Sequence, residues 1–149
     1  MKNKTIRTMS LCVFRHEGRI LVFCGYDPVE KEKFYRPLGG GVKFRESSEK
    51  AMRREIKEEL GASVTGVKLL GILENKFTYR GNPGHEITFI FDGQFKDKSF
   101  YKKKHIPALE GGDREIKTKW INPYKKKRKT PLYPEGLAEL LKECKEKGI

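Results

Sequence analysis

Cysteine is scarce in this chain, with three among 149 residues: Cys12, Cys24 and Cys144. Their odd number and wide spacing exclude a zinc-finger ligand set and a complete disulfide framework, so they read as small core residues in a reducing cytoplasm. No apolar run approaches the roughly 18–20 residues that cross a bilayer, which excludes a spanning helix and a membrane partner. The first ten residues, MKNKTIRTMS, hold none of the apolar stretch that a secretory signal needs. Acidic residues are in the minority, 20 against 33 basic, for a net charge of +13. Such an excess raises the local concentration of polyphosphate anions at low salt and admits RNA as a partner. Its basic runs are Lys102–Lys104 and Lys125–Lys129. At this length, a hydrophobic content of 36% supports one domain over residues 1–149 with its own core. No internal repeat is present, and no apolar patch that would set an oligomeric state is identifiable.

What the chain does have is concentrated between Gly40 and Ala62. Ser47 or Ser48 can cap a helix, and neither Pro nor Gly interrupts the chain until Gly61, which suits the left-handed position past a helix end. A helix over Ser48–Leu60 is expected. At about 100° per residue, Met52, Ile56 and Leu60 fall in one arc of roughly 80°, an apolar stripe. Glu55, Glu58 and Glu59 gather in the adjoining arc. At 4 Å each carboxylate pair repels by about 1 kcal/mol in water and by several times that in a drier cleft. A hard divalent cation such as Mg²⁺, with Mn²⁺ as a substitute, would relieve that repulsion while gripping phosphate oxygens. Ahead of the helix, Pro37-Leu38-Gly39-Gly40-Gly41 reads as a loop whose backbone can approach a ligand closely. Arg36, beside it, is well placed to touch substrate phosphate.

Gly40, five residues, Glu46, seven residues and then Arg54-Glu55-Ile56-x-Glu58-Glu59-x-Gly61-Ala62 resembles the Nudix box. That box is the signature of hydrolases that split nucleoside diphosphates linked to another group. Seven fixed positions match by chance less than roughly once in 10⁸ starting points at ordinary residue usage, so composition does not explain them. Ala62 is smaller than the usual last residue of the pattern. The resemblance implies a mixed sheet between helices, an α/β/α sandwich. It also implies a Mg²⁺-dependent reaction in which a metal-activated water attacks one phosphorus of a diphosphate bridge. By resemblance, Glu58 and Glu59 are principal metal ligands, and Glu55 is a third ligand or the acid–base group. Arg54 orients Glu55, Glu46 is a supporting carboxylate, and the Gly40 carbonyl is a candidate ligand. Relatives also carry an acidic residue shortly before a late Trp. Here Glu115, ahead of Trp120, is the choice and Glu110 the second. Tyr79 occupies a place where some dinucleoside polyphosphate hydrolases have a ring that stacks on adenine.

The remaining pattern agrees with one α/β domain. Strands are expected at Ser10–Phe14 and Arg19–Cys24, joined at Glu17-Gly18, then at Phe34–Arg36, Val67–Leu73, Glu86–Phe95 and Ile116–Ile121. Leu137, Leu140, Leu141 and Cys144 fit one face of a closing helix after Pro134. Glu86, opening its strand, can point toward the cleft; His85 reads as a loop residue and Trp120 as a core anchor. The substrate is left open among nucleoside triphosphates, dinucleoside polyphosphates, sugar nucleotides and capped or 5′-triphosphate RNA. The rival class is a non-catalytic nucleotide sensor or RNA-binding module on the same fold.

Overall fold

One segment, Arg7–His16 (β1), organises the chain because both of its faces are buried. Cys12 and Phe14 point into one core, and Leu11 and Val13 into another. The computed structural model describes residues 4–149. After a two-residue turn, Arg19–Asp27 (β2) folds back on the end of β1. Glu17 and Gly18 have φ of 51° and 75°, the pair of positive values that a tight hairpin with matching twist requires.

Glu32–Arg36 (β3) and Leu38–Gly41 (β4) lead into Ser48–Leu60 (α1). Val64–Tyr79 (β5) and Asn82–Phe95 (β6) then form a long hairpin. Ala108–Glu110 (β7), Arg114–Ile116 (β8), Thr118–Ile121 (β9) and Leu137–Glu146 (α2) complete the order. The main sheet runs β3-β2-β1-β6-β5, with β4 added to β1 and β9 to β2. β6 lies parallel to β1 from Arg7↔Glu86 to Phe14↔Gly93, and the other pairings are antiparallel, so the sheet is mixed.

Helices cover both faces. Met52 and Ile56 of α1 pack with Cys12, Phe14, Leu21, Phe91 and Phe95. Leu137 and Leu141 of α2 pack with Leu11, Val13, Ile20, Val22 and Ile90. The strand periodicity of two divides each strand's side chains between these cores, giving the expected α/β/α layering. α1 has the bounds that its caps foretold. Ser47 Oγ accepts from the Lys50 N–H at 3.1 Å, and Gly61, at φ 68°, donates to the Lys57 carbonyl at 2.9 Å.

Three expectations need correction. The glycine run is a strand and not an open loop: Leu38 to Gly41 pair with Cys12 to Met9. β5 and β6 extend well beyond the expected spans, and Pro83 is tolerated because β1 reaches β6 only from Glu86 onward. The expected strand Ile116–Ile121 is broken at Lys117, with β8 pairing β7 and β9 pairing β2. All three cysteines are free, and Cys12 and Cys144 are buried. Among the described residues no helix is long and apolar enough to cross a membrane.

Because α2 buries Leu141 in the second core, Leu141→Ala should lower unfolding stability by about 2–5 kcal/mol. Urea titration reads this as a shifted midpoint at unchanged slope. A loss below about 0.5 kcal/mol, the scale of a surface substitution, would deny α2 that role.

Candidate active site

The acidic face of α1 stands against β4, and glycine is what lets the two meet. A Cβ on Gly40 would lie 2.4 Å from Cδ of Glu55. A Cβ on Gly39, whose φ is 145°, would lie 2.1 Å from the Ser10 carbonyl oxygen. The Gly39 N–H donates to Oε1 of Glu59 at 3.0 Å. The glycines therefore admit two carboxylates to a strand that is itself pressed against β1.

Arg54 ties the preceding turn to the helix. Its Nε and Nη2 form a two-pronged contact with Glu46 at 2.8 and 2.9 Å. Nη2 also donates to the Gly41 carbonyl at 3.0 Å, and Nη1 to Oε1 of Glu55 at 2.9 Å. Glu58, more exposed, is held loosely by the same Nη1 at 3.4 Å. Charge-assisted, two-pronged pairs of this kind fix orientation as well as charge. The Arg54 hydrogen bonds, helped by the Lys43 N–H, pull the Glu46 carboxyl down to about 2. Glu59 moves the other way. Burial first, then the Glu55 charge, raise its carboxyl to about 8, against the opposing effects of Arg36 and the Gly39 N–H.

Arg36 completes the group from β3. Its guanidinium stacks over Phe23 at 4.9 Å, and its Nε is buried without a hydrogen-bond partner. Burial lowers its pKa, while the charges of Glu86, Glu59 and Glu110 act to hold the proton. Glu86 lies 3.7 Å from Arg7, a residue that sequence reasoning did not single out and that no motif marks. From Phe23 a row of rings leads outward to Phe34 at 6.0 Å and on to Tyr79 at 5.9 Å and Tyr133 at 5.8 Å. Tyr79 thus stands at the far end of that row, its hydroxyl 3.4 Å from the Tyr26 carbonyl.

Glu115 is not brought to this group. It is exposed on β8, opposite Leu109 in the β7–β8 ladder. Glu110 of the same hairpin is near enough to influence both Glu59 and Arg36. It occupies the place that the sequence assigned to Glu115, because the register of a three-residue ladder decides which acid faces inward. Trp120 is an anchor, its indole N–H donating to the Lys103 carbonyl at 3.3 Å. His85 lies within β6 and pairs with Glu74 at 2.8 Å.

Among the described residues, no three His, Cys, Asp or Glu side chains converge as a ready-made cage. The reason is visible in their partners: Glu58 is drawn to Arg54 and Glu59 to the Gly39 N–H. The donor set nonetheless fits a hard divalent cation. Oxygen donors alone surround the spot, and the Gly40 gap seats Glu55 where a side chain would otherwise expel it.

The NUDIX domain profile matches residues 4–131. The chain therefore belongs to the NUDIX family, whose class is that of hydrolases acting on phosphoric anhydrides. A comparison with curated proteins returned no match. Among solved structures, the fold is similar to the MutT NUDIX hydrolase of Burkholderia pseudomallei, with 21% identity and a TM-score of 0.65 over 93% of this chain and 98% of that one. It is also similar to the MutT protein of Methanosarcina mazei Go1, at 16% identity and TM-score 0.66 over 99% of each chain. The ORF135 protein of E. coli is similar at 20% identity and TM-score 0.58, over 95% of this chain and 92% of its own.

The depressed Glu46 carboxyl has a consequence for acid stability. Its pairing contributes fully above the unfolded carboxylate range near pH 4.5, and the contribution is lost as pH falls toward 2. Glu46→Gln should therefore be less stable than the parent at pH 7 and lose less on acidification between pH 4.5 and 2. Parallel acid titrations followed by circular dichroism test this; superimposable curves would mean that the Arg54 pair contributes nothing.

Proposed function

We propose that the chain hydrolyses the diphosphate bridge of a nucleoside diphosphate derivative, a nucleoside triphosphate or dinucleoside polyphosphate among them. The cofactor in this reading is Mg²⁺, with Mn²⁺ able to replace it. Residues 1–149 act as one catalytic domain in a reducing cytoplasm. The observation that carries the reading is the Gly39–Gly40 strand, which admits Glu55 and Glu59 side by side despite their repulsion. Burial and the Glu55 charge push the Glu59 carboxyl up to about 8, a perturbation that a cation bound between them would relieve.

Glu58 and Glu59, with the Gly40 carbonyl, would hold the cation, with Glu55 as a third ligand or, in the role taken here, the acid–base group beside it. When bound there, a divalent cation neutralises phosphate charge and makes a water more acidic. The protein's own groups then supply the rest. Arg36 would present its terminal guanidinium N–H groups to a phosphate oxygen, its Nε being buried. Arg54 keeps Glu55 in position through the 2.9 Å bond, so that its free oxygen can take the proton from the attacking water. Glu110 is the second candidate for that proton and replaces Glu115 in this role. The water oxygen bonds to one phosphorus as the bridging P–O bond breaks, and the leaving phosphate carries away the bond's electron pair. The row from Phe23 to Tyr79 and Tyr133 offers ring faces to the nucleobase, and Glu86 orients Arg7 and Arg36 beside the entry.

The test is a panel of nucleoside triphosphates, dinucleoside polyphosphates and sugar nucleotides, supplied with Mg²⁺ and resolved by chromatography. Glu58→Gln should lower turnover of whichever member is cleaved by about 100-fold or more, with far-ultraviolet circular dichroism unchanged. Retained turnover in the variant would remove Glu58 from the reaction. No cleavage, with ligand bound equally by both forms, would make the protein a nucleotide sensor.

A further inference from the structure

At the opposite end of β1 from the carboxylates, two cavities open side by side. The first, about 270 Å³, is lined by Arg15, Arg19, Tyr124 and Lys145 among others. The second, about 510 Å³, is lined by Lys125, Lys126, Arg128 and Leu132, with Glu135 and Glu139 on its far wall. Pro123 borders both, so they form one furrow between the β1–β2 turn, the segment after β9 and α2. Ser10 pairs with Gly40 and His16 with Arg19, which puts the first cavity about 20 Å from the glycine strand at ~3.3 Å per residue.

We infer that this furrow binds single-stranded nucleic acid. Three features argue for that partner. The furrow is open to solvent along its length, so an extended strand can lie in it. Its basic side chains outnumber its acidic ones, six (Arg15, Arg19, Lys125, Lys126, Arg128 and Lys145) against three (Glu17, Glu135 and Glu139). One ring stands among these charges, Tyr124, with Lys145 over it at 4.7 Å, and beyond the lining Lys119 lies over Tyr35 at 5.5 Å. Tyr35 adjoins the second cavity through its bridge to Leu132. Basic side chains that track phosphates, interleaved with rings that accept bases, are the composition of a single-strand site of about four nucleotides or more. The inference stands without the hydrolase reading. With it, the furrow would hold the body of a strand whose 5′-polyphosphate lies at the carboxylates.

The probe is a fluorescent 12-nucleotide oligouridylate with a 5′-hydroxyl, which offers no diphosphate to the carboxylates. Binding to the full chain is followed by anisotropy from 50 to 200 mM salt. Replacing Lys125, Lys126 and Arg128 together by Ala should weaken binding about tenfold at 50 mM and reduce the salt slope by about 2, at ~0.7 for each phosphate no longer neutralised. Replacing Lys57, Lys68 and Lys76 by Ala removes equal charge elsewhere and should leave the slope unchanged. Tyr124→Phe should bind as the parent does, and Tyr124→Ala more weakly. Failure of the parent to bind, or equal losses in the two triple variants, would overturn the inference. So would inorganic polyphosphate competing as well per phosphate as the oligonucleotide, or binding confined to phosphatidylserine vesicles. Turnover of small nucleotides, measured on the same variants, reports separately on the hydrolase reading and is expected to persist.

Discussion

The catalytic end of the molecule depends on how closely one strand can approach its two neighbours. β4 presses its backbone on β1 on one side and on the acidic face of α1 on the other, and neither approach leaves room for a Cβ at Gly39 or Gly40. From that closeness the rest follows. Glu59 loses water and takes the Gly39 N–H in its place. Glu55 is packed beside it, and their mutual repulsion is answered from one direction by Arg54 and from the other by Arg36. Had β4 carried side chains, α1 would stand farther off and its carboxylates would be ordinary solvated charges.

Arg54 works on both sides of this arrangement. It grips Glu46 at the base of the turn, caps the Gly41 carbonyl at the end of β4 and reaches Glu55 on its own helix. A lysine could meet any one of these acceptors, but a single ammonium lacks the planar fork that meets all of them at once. The turn's geometry and the orientation of the reactive carboxylate are thus one property, so a change at Glu46 is felt at Glu55 through a shared guanidinium.

How much of this was legible beforehand divides along local and non-local lines. α1 was readable to the residue because its stripe, its Ser cap and its terminal Gly61 all lie within one short stretch. The two-sided layering was an implication of the box's resemblance, and β1 realises it by sending Leu11 and Val13 to one core and Cys12 and Phe14 to the other. What was not readable required knowing a partner. Three glycines look like a loop until β1 is seen to pair with them. Glu115 is the preferred acid and Glu110 the second until the β7–β8 register brings Glu110 within reach of Glu59. The unpaired Nε of Arg36 and the ring row from Phe23 to Tyr79 exist only because distant strands place them together.

The charge distribution carries the last step. The chain has an excess of +13, yet its most ordered charged cluster is acidic, with Glu46, Glu55, Glu58, Glu59 and Glu110 facing only a few arginines. A uniformly basic surface would attract a polyphosphate anywhere and hold it nowhere in particular. Under the proposed function, an acidic pocket in a basic field would do something different: long-range attraction would bring the anion to the protein, and the pocket would reject it until a cation is present. Arg36 marks the boundary, a guanidinium stacked on Phe23 and held in its charged form by the very acids it adjoins. On the proposed reading, the selectivity of that boundary is for a cation and a phosphate together, and for neither alone.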